Sequence, residues 1–207
     1  MDSKYLKITK ILKSDGIGIL PTDTLYGLVA SAFSKKAVNR IFKLKKRNKS
    51  KKLIILISSL KDLEKFNIKI TKSQKEVLEK FWPHATQSWR GKQEAVSIIL
   101  NNIAFRLPKN KKLIEILRKT GPLVAPSANP ESKKPAENVK QAKNYFGPVR
   151  SRSPQGSRST RSARAASNGI GDQVDFYLSG GTLKSKPSTL IKLDKNGKYR
   201  VLRGKIK

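Results

Sequence analysis

Two short polar motifs follow apolar runs of the sequence, at positions where a buried strand would end. The first is PTDTLYGL (Pro21–Leu28), whose threonine and aspartate side chains can donate and accept hydrogen bonds. The second is PSANP, in which Ser127 and Asn129 stand in a turn bracketed by prolines. Because α/β sheets bind ligands beyond the carboxyl ends of their strands, both motifs favour a ligand site at a sheet edge. The alternative for both is an ordinary polar turn.

The helix and strand patterns of the sequence indicate that three cationic side chains have a role inside the protein. A helical stripe that includes Val38 and Ile41 continues to Lys45, which predicts that this lysine points toward the fold. With Arg47 it could hold a polyphosphate, although a solvated basic helix end is the alternative. Arg106 interrupts the apolar run IAFRLP. A charge there needs either an acidic partner or a ligand.

The composition narrows the classes of function. The chain of 207 residues carries 46 Lys and Arg against 14 Asp and Glu, a formal net charge of +32. This charge favours polyanionic partners such as RNA or nucleotides, with a lysine-rich solvated surface as the alternative. The absence of cysteine and the single histidine, His84, argue against disulfides, thiolate or histidine metal centres and a Ser-His-Asp triad.

The same sequence gives no sign of a membrane segment. No apolar run approaches the roughly 20 residues that span a bilayer, and the N-terminal residues lack the apolar stretch and cleavage site of a signal peptide. We therefore expect a cytoplasmic protein without membrane contact.

Short β-branched runs alternate with helical patterns, which predicts an α/β fold around one sheet and a single domain over residues 1–207. Helices are predicted around Val38–Phe42, from Thr71 to Phe81 with Thr71 and Gln74 as a capping box, and over Asn110–Lys119 and Ala136–Phe146. The predicted buried strands are Gly16–Pro21, Lys52–Ser58, Val96–Leu100, Ala104–Pro108, Pro122–Pro126, Asp175–Ser179, Ser188–Leu193 and Tyr199–Arg203.

Two segments do not fit this alternation. Residues 84–95 are polar and without period, and they interrupt the passage from FWP to VSIIL. Residues 148–170 are rich in Ser and Arg, with 5 Arg, no Lys and no acid. Such a composition cannot bury enough apolar surface to order itself, so we expect the second segment to be disordered.

The ordered set of motifs resembles the YrdC-like family. PTDTLYGL, the KxR pair at Lys45 and Arg47, FWP, FRLP, PSAN and PSTLI followed by LRG stand in the family's order, from about Ile11 to Ile206. The resemblance implies a twisted mixed sheet flanked by helices, with a large, open, positively charged cavity.

The resemblance also implies an activity. The family's best-known members are L-threonylcarbamoyladenylate synthases, which join ATP, L-threonine and bicarbonate into threonylcarbamoyl-AMP and release pyrophosphate. Partner transferase proteins then pass the threonylcarbamoyl group to the adenosine beside the anticodon of tRNAs that decode ANN codons. Mg²⁺ is expected with the nucleotide, with no dedicated metal ligands in the protein, and tRNA is a further partner that the charge allows.

Residue by residue, the family's motifs assign two sets of contacts. The residues that match L-threonine-binding positions are Thr24, Arg106, Ser127 and Ser188. The residues that match ATP-binding positions are Lys45, Arg47, Asn129 and Arg203, with Lys51 standing where the family often has Asn. The tetrad expected to carry catalysis is Lys45, Arg47, Ser127 and Asn129.

Several positions depart from the family pattern. Asn48 and Lys52 replace prolines, Leu56 replaces a common histidine, and Ser132 stands where PSANxSG has glycine. Two alternatives to an active synthase therefore stay open. One is a non-catalytic YrdC-like protein that binds RNA or nucleotides, and the other is an altered chain whose scaffold the two unusual segments interrupt.

Overall fold

A single mixed sheet runs through the computed structural model, which describes residues 2–82, 95–149 and 173–206. In the described ranges the strands are β1 (Ile17–Pro21), β2 (Tyr26–Ser31), β3 (Ile54–Leu56), β4 (Val96–Leu100), β5 (Ile103–Arg106), β6 (Leu123–Val124), β7 (Phe176–Tyr177), β8 (Thr189–Leu193) and β9 (Tyr199–Arg203). The helices are α1 (Ser3–Lys13), α2 (Lys35–Lys45), a 3-10 helix (Leu60–Phe66), α3 (Lys72–Phe81), α4 (Lys111–Thr120) and α5 (Val139–Phe146).

The strand order is β7-β1-β2-β6-β3-β5-β4-β8-β9. The pairs β1–β7, β3–β5 and β4–β8 are parallel and the other neighbours are antiparallel. The prediction of an α/β fold around one mixed sheet is confirmed.

Each of the five α-helices in the described ranges begins at a side chain that accepts a hydrogen bond from its first turn. These capping residues are Asp2, Ser34, Thr71, Asn110 and Asn138. Such caps satisfy backbone N–H groups that have no partner within the helix, and each contributes about 1 kcal/mol. The predicted capping box of α3 is confirmed, since the side chains of Thr71 and Gln74 each bond the other's backbone N–H.

The helices turn apolar stripes toward the sheet and share one buried cluster with it. Helix α4, for example, buries Leu113, Ile114, Ile116 and Leu117 on one face. Among the described helices, none combines the length and the hydrophobicity that a bilayer crossing requires.

The structure differs from the sequence prediction in several elements. Strand β2 was not predicted. Its first residues lie in the PTDTLYGL motif, for which an ordinary polar turn was the alternative to a ligand site, but the segment pairs with β1 as a hairpin and is buried. Helix α1 was not predicted. Strand β9 exists as predicted, but it is the outer strand of the described sheet and is exposed rather than buried.

The segments predicted to be unusual lie almost entirely outside the described residues. This holds for residues 84–94 of the first segment and residues 150–170 of the second. Their expected properties, and the single domain over residues 1–207, stay predictions.

A buried ion pair fixes the start of β7 to β1 and α2. The Asp175 carboxylate lies 2.9 Å from Arg40 Nη1 and accepts the backbone N–H of Ile17 at 2.8 Å. Arg40 also donates to the backbone carbonyl of Gln173 at 2.8 Å. The Asp175 side chain is only 4% exposed, so its charge depends on these partners.

The variant Asp175→Asn should destabilise the protein by about 2–4 kcal/mol, because it leaves the Arg40 guanidinium without its counter-charge in a largely buried position. Denaturant unfolding followed by circular dichroism measures the change. The control Glu76→Gln removes one acid from the exposed surface of α3 and should change the free energy of unfolding by less than about 0.5 kcal/mol. Equal stabilities of the two variants would contradict the role given to this pair.

Candidate functional site

A cavity of about 150 Å³ opens where the ends of several strands meet. Five residues predicted for substrate binding line it, namely Thr24, Arg106, Ser127, Ser188 and Arg203. A larger cavity of about 820 Å³ lies between the 3-10 helix and α3, but it carries none of the predicted residues. The convergence of polar groups makes the smaller cavity the candidate site.

The mixed sheet explains why distant segments meet there. The segment after β6 continues to pair with β2, since Leu28 N–H donates to Pro126 O at 2.9 Å and Ala128 N–H donates to Tyr26 O at 2.8 Å. Gly27 and Ser127 face each other in this pairing. A Cβ on Gly27 would lie 3.1 Å from the Thr22 methyl group, so Gly27 permits a close approach within a strand.

Arg106 ends β5 and presents its guanidinium to the cavity while remaining 95% buried, with a relative exposure of 5%. Its Nη1 donates to Thr24 Oγ1 at 3.1 Å and its Nη2 donates to Thr22 Oγ1 at 3.2 Å. Its Nε has no hydrogen-bond partner among the described residues. The guanidinium therefore retains donor capacity beside the cavity.

Asp23 is the acidic partner of Arg106. Its Oδ1 lies 3.0 Å from Arg106 Nη2, and its Oδ2 accepts the backbone N–H of Lys109 at 3.3 Å. The sequence left two readings of Arg106 open, a structural ion pair and a ligand contact. The ion pair exists, but it lies behind a guanidinium that also lines the cavity, so the two roles are compatible.

A second guanidinium faces the same cavity. Arg203, at the end of β9, donates from Nη2 to the Ser188 carbonyl at 3.1 Å. Burial lowers the pKa of Arg203, and the positive charge of Arg106 lowers it further. Two like charges close enough to affect each other make this cavity suited to an anion. The Ser188 hydroxyl lies 2.8 Å from the hydroxyl of Ser97 on β4.

Lys45, at the end of α2, is 1% exposed and points inward as the stripe predicts. Its ammonium donates to the backbone carbonyls of Ser127, at 2.6 Å, and of Asn129. Burial lowers its pKa to about 8, the charge of Arg47 lowers it too, and the charge of Glu131 opposes the shift. In this structure Lys45 therefore holds the backbone of the PSANP turn.

The Asn129 side chain is buried inside the same turn. Its amide nitrogen donates to the carbonyls of Lys133, at 2.6 Å, and Pro130, at 2.9 Å. Its Oδ1 is buried without a hydrogen-bond partner among the described residues. An unpaired buried acceptor is costly, and a ligand donor would satisfy it.

Arg47 and Lys51 lie in the loop after α2, outside the lining of the cavity. Arg47 Nη2 donates to the Lys52 carbonyl at 3.2 Å, and Lys51 forms an ion pair with Glu131. The structure thus divides the predicted residues into a cavity group and a cationic group. The two groups meet at the turn from Ser127 to Asn129.

Three polar groups of the site were not assigned a contact from the sequence, namely Thr22, Asp23 and Glu131. The first two carry a signal, since they stand in the PTDT motif beside Thr24. Glu131 carries none, because nothing local shows that its carboxylate meets the loop after α2. The large open cavity expected from the resemblance stays a prediction. Within the described ranges, no three His, Asp or Glu side chains come together in a way that could hold a metal ion.

Comparisons with known proteins identify relatives of the chain. The Sua5_yciO_yrdC family model, described as telomere recombination, matches residues 10–151. The threonylcarbamoyl-AMP synthase of Pyrococcus abyssi is 34% identical over 137 residues, which cover 62% of this chain and 40% of that protein. The threonylcarbamoyl-AMP synthase of Bacillus subtilis is 31% identical over 134 residues, with 62% of this chain and 39% of that protein covered. The chain therefore spans about two fifths of the length of these relatives.

Solved structures share the fold. Sua5 from P. abyssi, crystallised with L-threonine, matches with a TM-score of 0.72 and 22% identity over 97% of this chain and 53% of that chain. E. coli YciO matches with a TM-score of 0.68 and 19% identity over 97% of this chain and 88% of that chain. These likenesses confirm the expected fold.

The depressed pKa of Lys45 has a consequence for stability. Lys45 titrates at about 8 in the folded protein and near 10.5 when unfolded, so the unfolded state binds more protons between these values and stability rises with pH across that window. Relative to Lys45→Met, the free energy of unfolding of the parent should rise by about 2–3 kcal/mol from about pH 7 to about pH 10.

Denaturant titrations of both proteins at several pH values measure this difference. The control Lys43→Met changes an exposed lysine of the same helix and should show a flat difference. If the difference in the free energy of unfolding between the parent and Lys45→Met does not change with pH, the buried amine of Lys45 has its ordinary pKa.

Proposed function

The chain belongs to the Sua5/YciO/YrdC family, and we propose that it is a nucleotidyltransferase that makes threonylcarbamoyl-AMP from ATP, L-threonine and bicarbonate. The observation that carries this proposal is the pairing of two sites of different chemistry around one turn. The Arg106 guanidinium in the small cavity suits an amino-acid carboxylate, while Arg203 and the cationic loop beside the cavity suit a polyphosphate. The names of the curated relatives support the same activity.

In the proposed complex, the carboxylate of L-threonine lies against Arg106. Asp23 and the two threonine hydroxyls of the PTDT motif hold this guanidinium from behind, so its free donors keep a fixed direction. Thr24, Ser127 and Ser188 supply hydroxyl groups for the polar atoms of the amino acid. Preorganised contacts of this kind lower the entropic cost of aligning the reactants.

The reaction needs no protein nucleophile. The threonine amine and bicarbonate form a carbamate with loss of water, and a carbamate oxygen attacks the α-phosphorus of ATP. The new P–O bond forms as the bond from the α-phosphorus to the bridging oxygen breaks, and pyrophosphate leaves. Arg47, Lys51 and Arg203 would stabilise the phosphate charge, with Lys45 and Asn129 fixing the turn between the two substrates.

The proposal includes three further partners, namely Mg²⁺, tRNA and transferase proteins. No three His, Asp or Glu side chains come together among the described residues, so an Mg²⁺ ion that accompanies ATP would be held mainly through the phosphates. The charge of +32 is compatible with tRNA as a further partner. Transferase proteins would consume the adenylate.

The variant Arg47→Ala should lower threonine-dependent pyrophosphate release by about 30- to 1,000-fold, because it removes a charge-assisted contact to phosphate in the transition state. The control Arg118→Ala removes an exposed arginine at the end of α4 and should leave the rate within about twofold. Near-parental release by folded Arg47→Ala protein would refute the assignment.

The variant Arg106→Lys tests the threonine site without leaving Asp23 unpaired. Lysine keeps the charge but loses the fork that binds a carboxylate through two parallel hydrogen bonds. The KM for L-threonine should rise at least about 10-fold, while the KM for ATP stays within about twofold. A lower melting temperature with an unchanged threonine KM would leave Arg106 only its ion pair with Asp23.

The alternative of a non-catalytic nucleotide-binding or RNA-binding protein makes a different prediction in the same assay. It allows ATP or RNA to bind but gives no pyrophosphate when L-threonine and bicarbonate are added. Parallel binding measurements with ATP separate this outcome from a protein that fails to bind nucleotide.

A further inference from the structure

The carboxylate of Glu131 opposes the cationic loop after α2. The sequence from Ala32 to Lys61 contains eleven Lys and Arg residues and no acid. Glu131, from the turn that follows Asn129, reaches this loop and forms an ion pair with Lys51. The backbone N–H of Glu131 donates to the carbonyl of Lys45 at 2.9 Å, which fixes the chain at this point.

The charge of Glu131 acts on all three cations of the expected polyphosphate site. The hydrogen bond from Lys51 lowers the pKa of the Glu131 carboxyl, and the positive charges of Lys51 and Arg47 lower it further. In return, Glu131 partly offsets the lowering of the pKa of Lys45. The carboxylate is therefore ionised at neutral pH and lies within electrostatic reach of the whole cluster.

The pair between Lys51 and Glu131 is exposed enough to open. The Lys51 side chain is 56% exposed and the Glu131 side chain is 29% exposed. Exposed ion pairs are weak because water screens them and because both side chains lose freedom. A polyphosphate carries several negative charges against the single charge of Glu131, so it can compete for the same cations.

We infer that Glu131 is a built-in competitor of the polyphosphate ligand. In the free protein its carboxylate pairs with Lys51 within the electrostatic reach of Lys45 and Arg47, and a bound polyphosphate displaces it. The identity of that ligand as ATP rests on the proposed function, but the competition itself rests on the ion pair of Glu131 with Lys51 and on the backbone hydrogen bond that holds Glu131 against Lys45.

Titration calorimetry with inorganic tripolyphosphate tests this inference. At about 50 mM salt, Glu131→Gln should bind tripolyphosphate about 2- to 5-fold more tightly than the parent, the range typical of one exposed ion pair. The advantage should shrink at about 500 mM salt, because screening weakens both the pair and the repulsion. The control Glu76→Gln makes the same charge change on the exposed surface of α3 and should bind like the parent.

A double-variant cycle with Lys51→Ala locates the effect. If Glu131 competes through Lys51, the gain from Glu131→Gln should be smaller when Lys51 is absent. Equal melting temperatures of parent and Glu131→Gln exclude a change of fold as the cause.

The outcomes separate cleanly. Unchanged or weaker binding by Glu131→Gln, or a gain equal to that of Glu76→Gln, would overturn the inference. A failure of the proposed function is seen elsewhere, as an absence of threonine-dependent pyrophosphate release. Tighter binding by Glu131→Gln in a protein that releases no pyrophosphate would therefore keep this inference and reject only the activity.

Discussion

The candidate site depends on one buried ammonium group. Lys45 leaves the last turn of α2 and donates to the carbonyls of Ser127 and Asn129. A buried charge without partners would be very costly. If these two carbonyls moved away, the buried Lys45 ammonium would lose its hydrogen-bond partners, so the carbonyls are held in place. The turn that carries both polar side chains is thereby tied to the helix that leads into the cationic loop.

This contact joins two parts of the candidate site, the cavity at the strand ends and the cationic loop after α2, which sheet pairing alone does not connect. The pairing between β2 and the segment after β6 places Ser127 in the cavity beside Arg106. The contact with Lys45 then holds the next residues of the turn against the loop that carries Arg47 and Lys51. A substrate that spans both parts would meet groups whose separation is set by the Lys45 contacts and by the backbone hydrogen bond from Glu131 to Lys45.

The acids of the site match its cations, but with different consequences. Asp23 is buried behind Arg106, and removing either partner would leave an unpaired buried charge, so this pair orients the guanidinium. Glu131 lies at the surface against Lys51, where water screens the pair and other anions can enter. The ion pair with Asp23 therefore fixes the position of Arg106, whereas the ion pair with Glu131 only neutralises Lys51 until another anion replaces it.

Much of this arrangement could be predicted from sequence, for reasons that are local. The capping box of α3 and the inward direction of Lys45 follow from periodicity and caps, which neighbouring residues determine. Strand β2 was missed because its first residues belong to the polar motif PTDTLYGL, and its pairing with β1 is not visible in the local sequence. The partner of Arg106 and the contact of Glu131 with Lys51 join residues 83 and 80 positions apart, so no local pattern could reveal them. The outward exposure of β9 depends on its place in the strand order, which is also a global property.

The pKa of Lys45 adds a last step to this account. At about 8 it lies close to neutral pH, so part of the population loses the proton in mildly alkaline solution. A neutral amine still has two N–H donors, as many as the two carbonyls that Lys45 holds. Deprotonation therefore removes a positive charge from the cationic cluster without removing the hydrogen bonds that shape the turn. A rise in pH therefore weakens the attraction of the cationic cluster for an anion, while Lys45 keeps the two hydrogen bonds that hold the backbone of the turn.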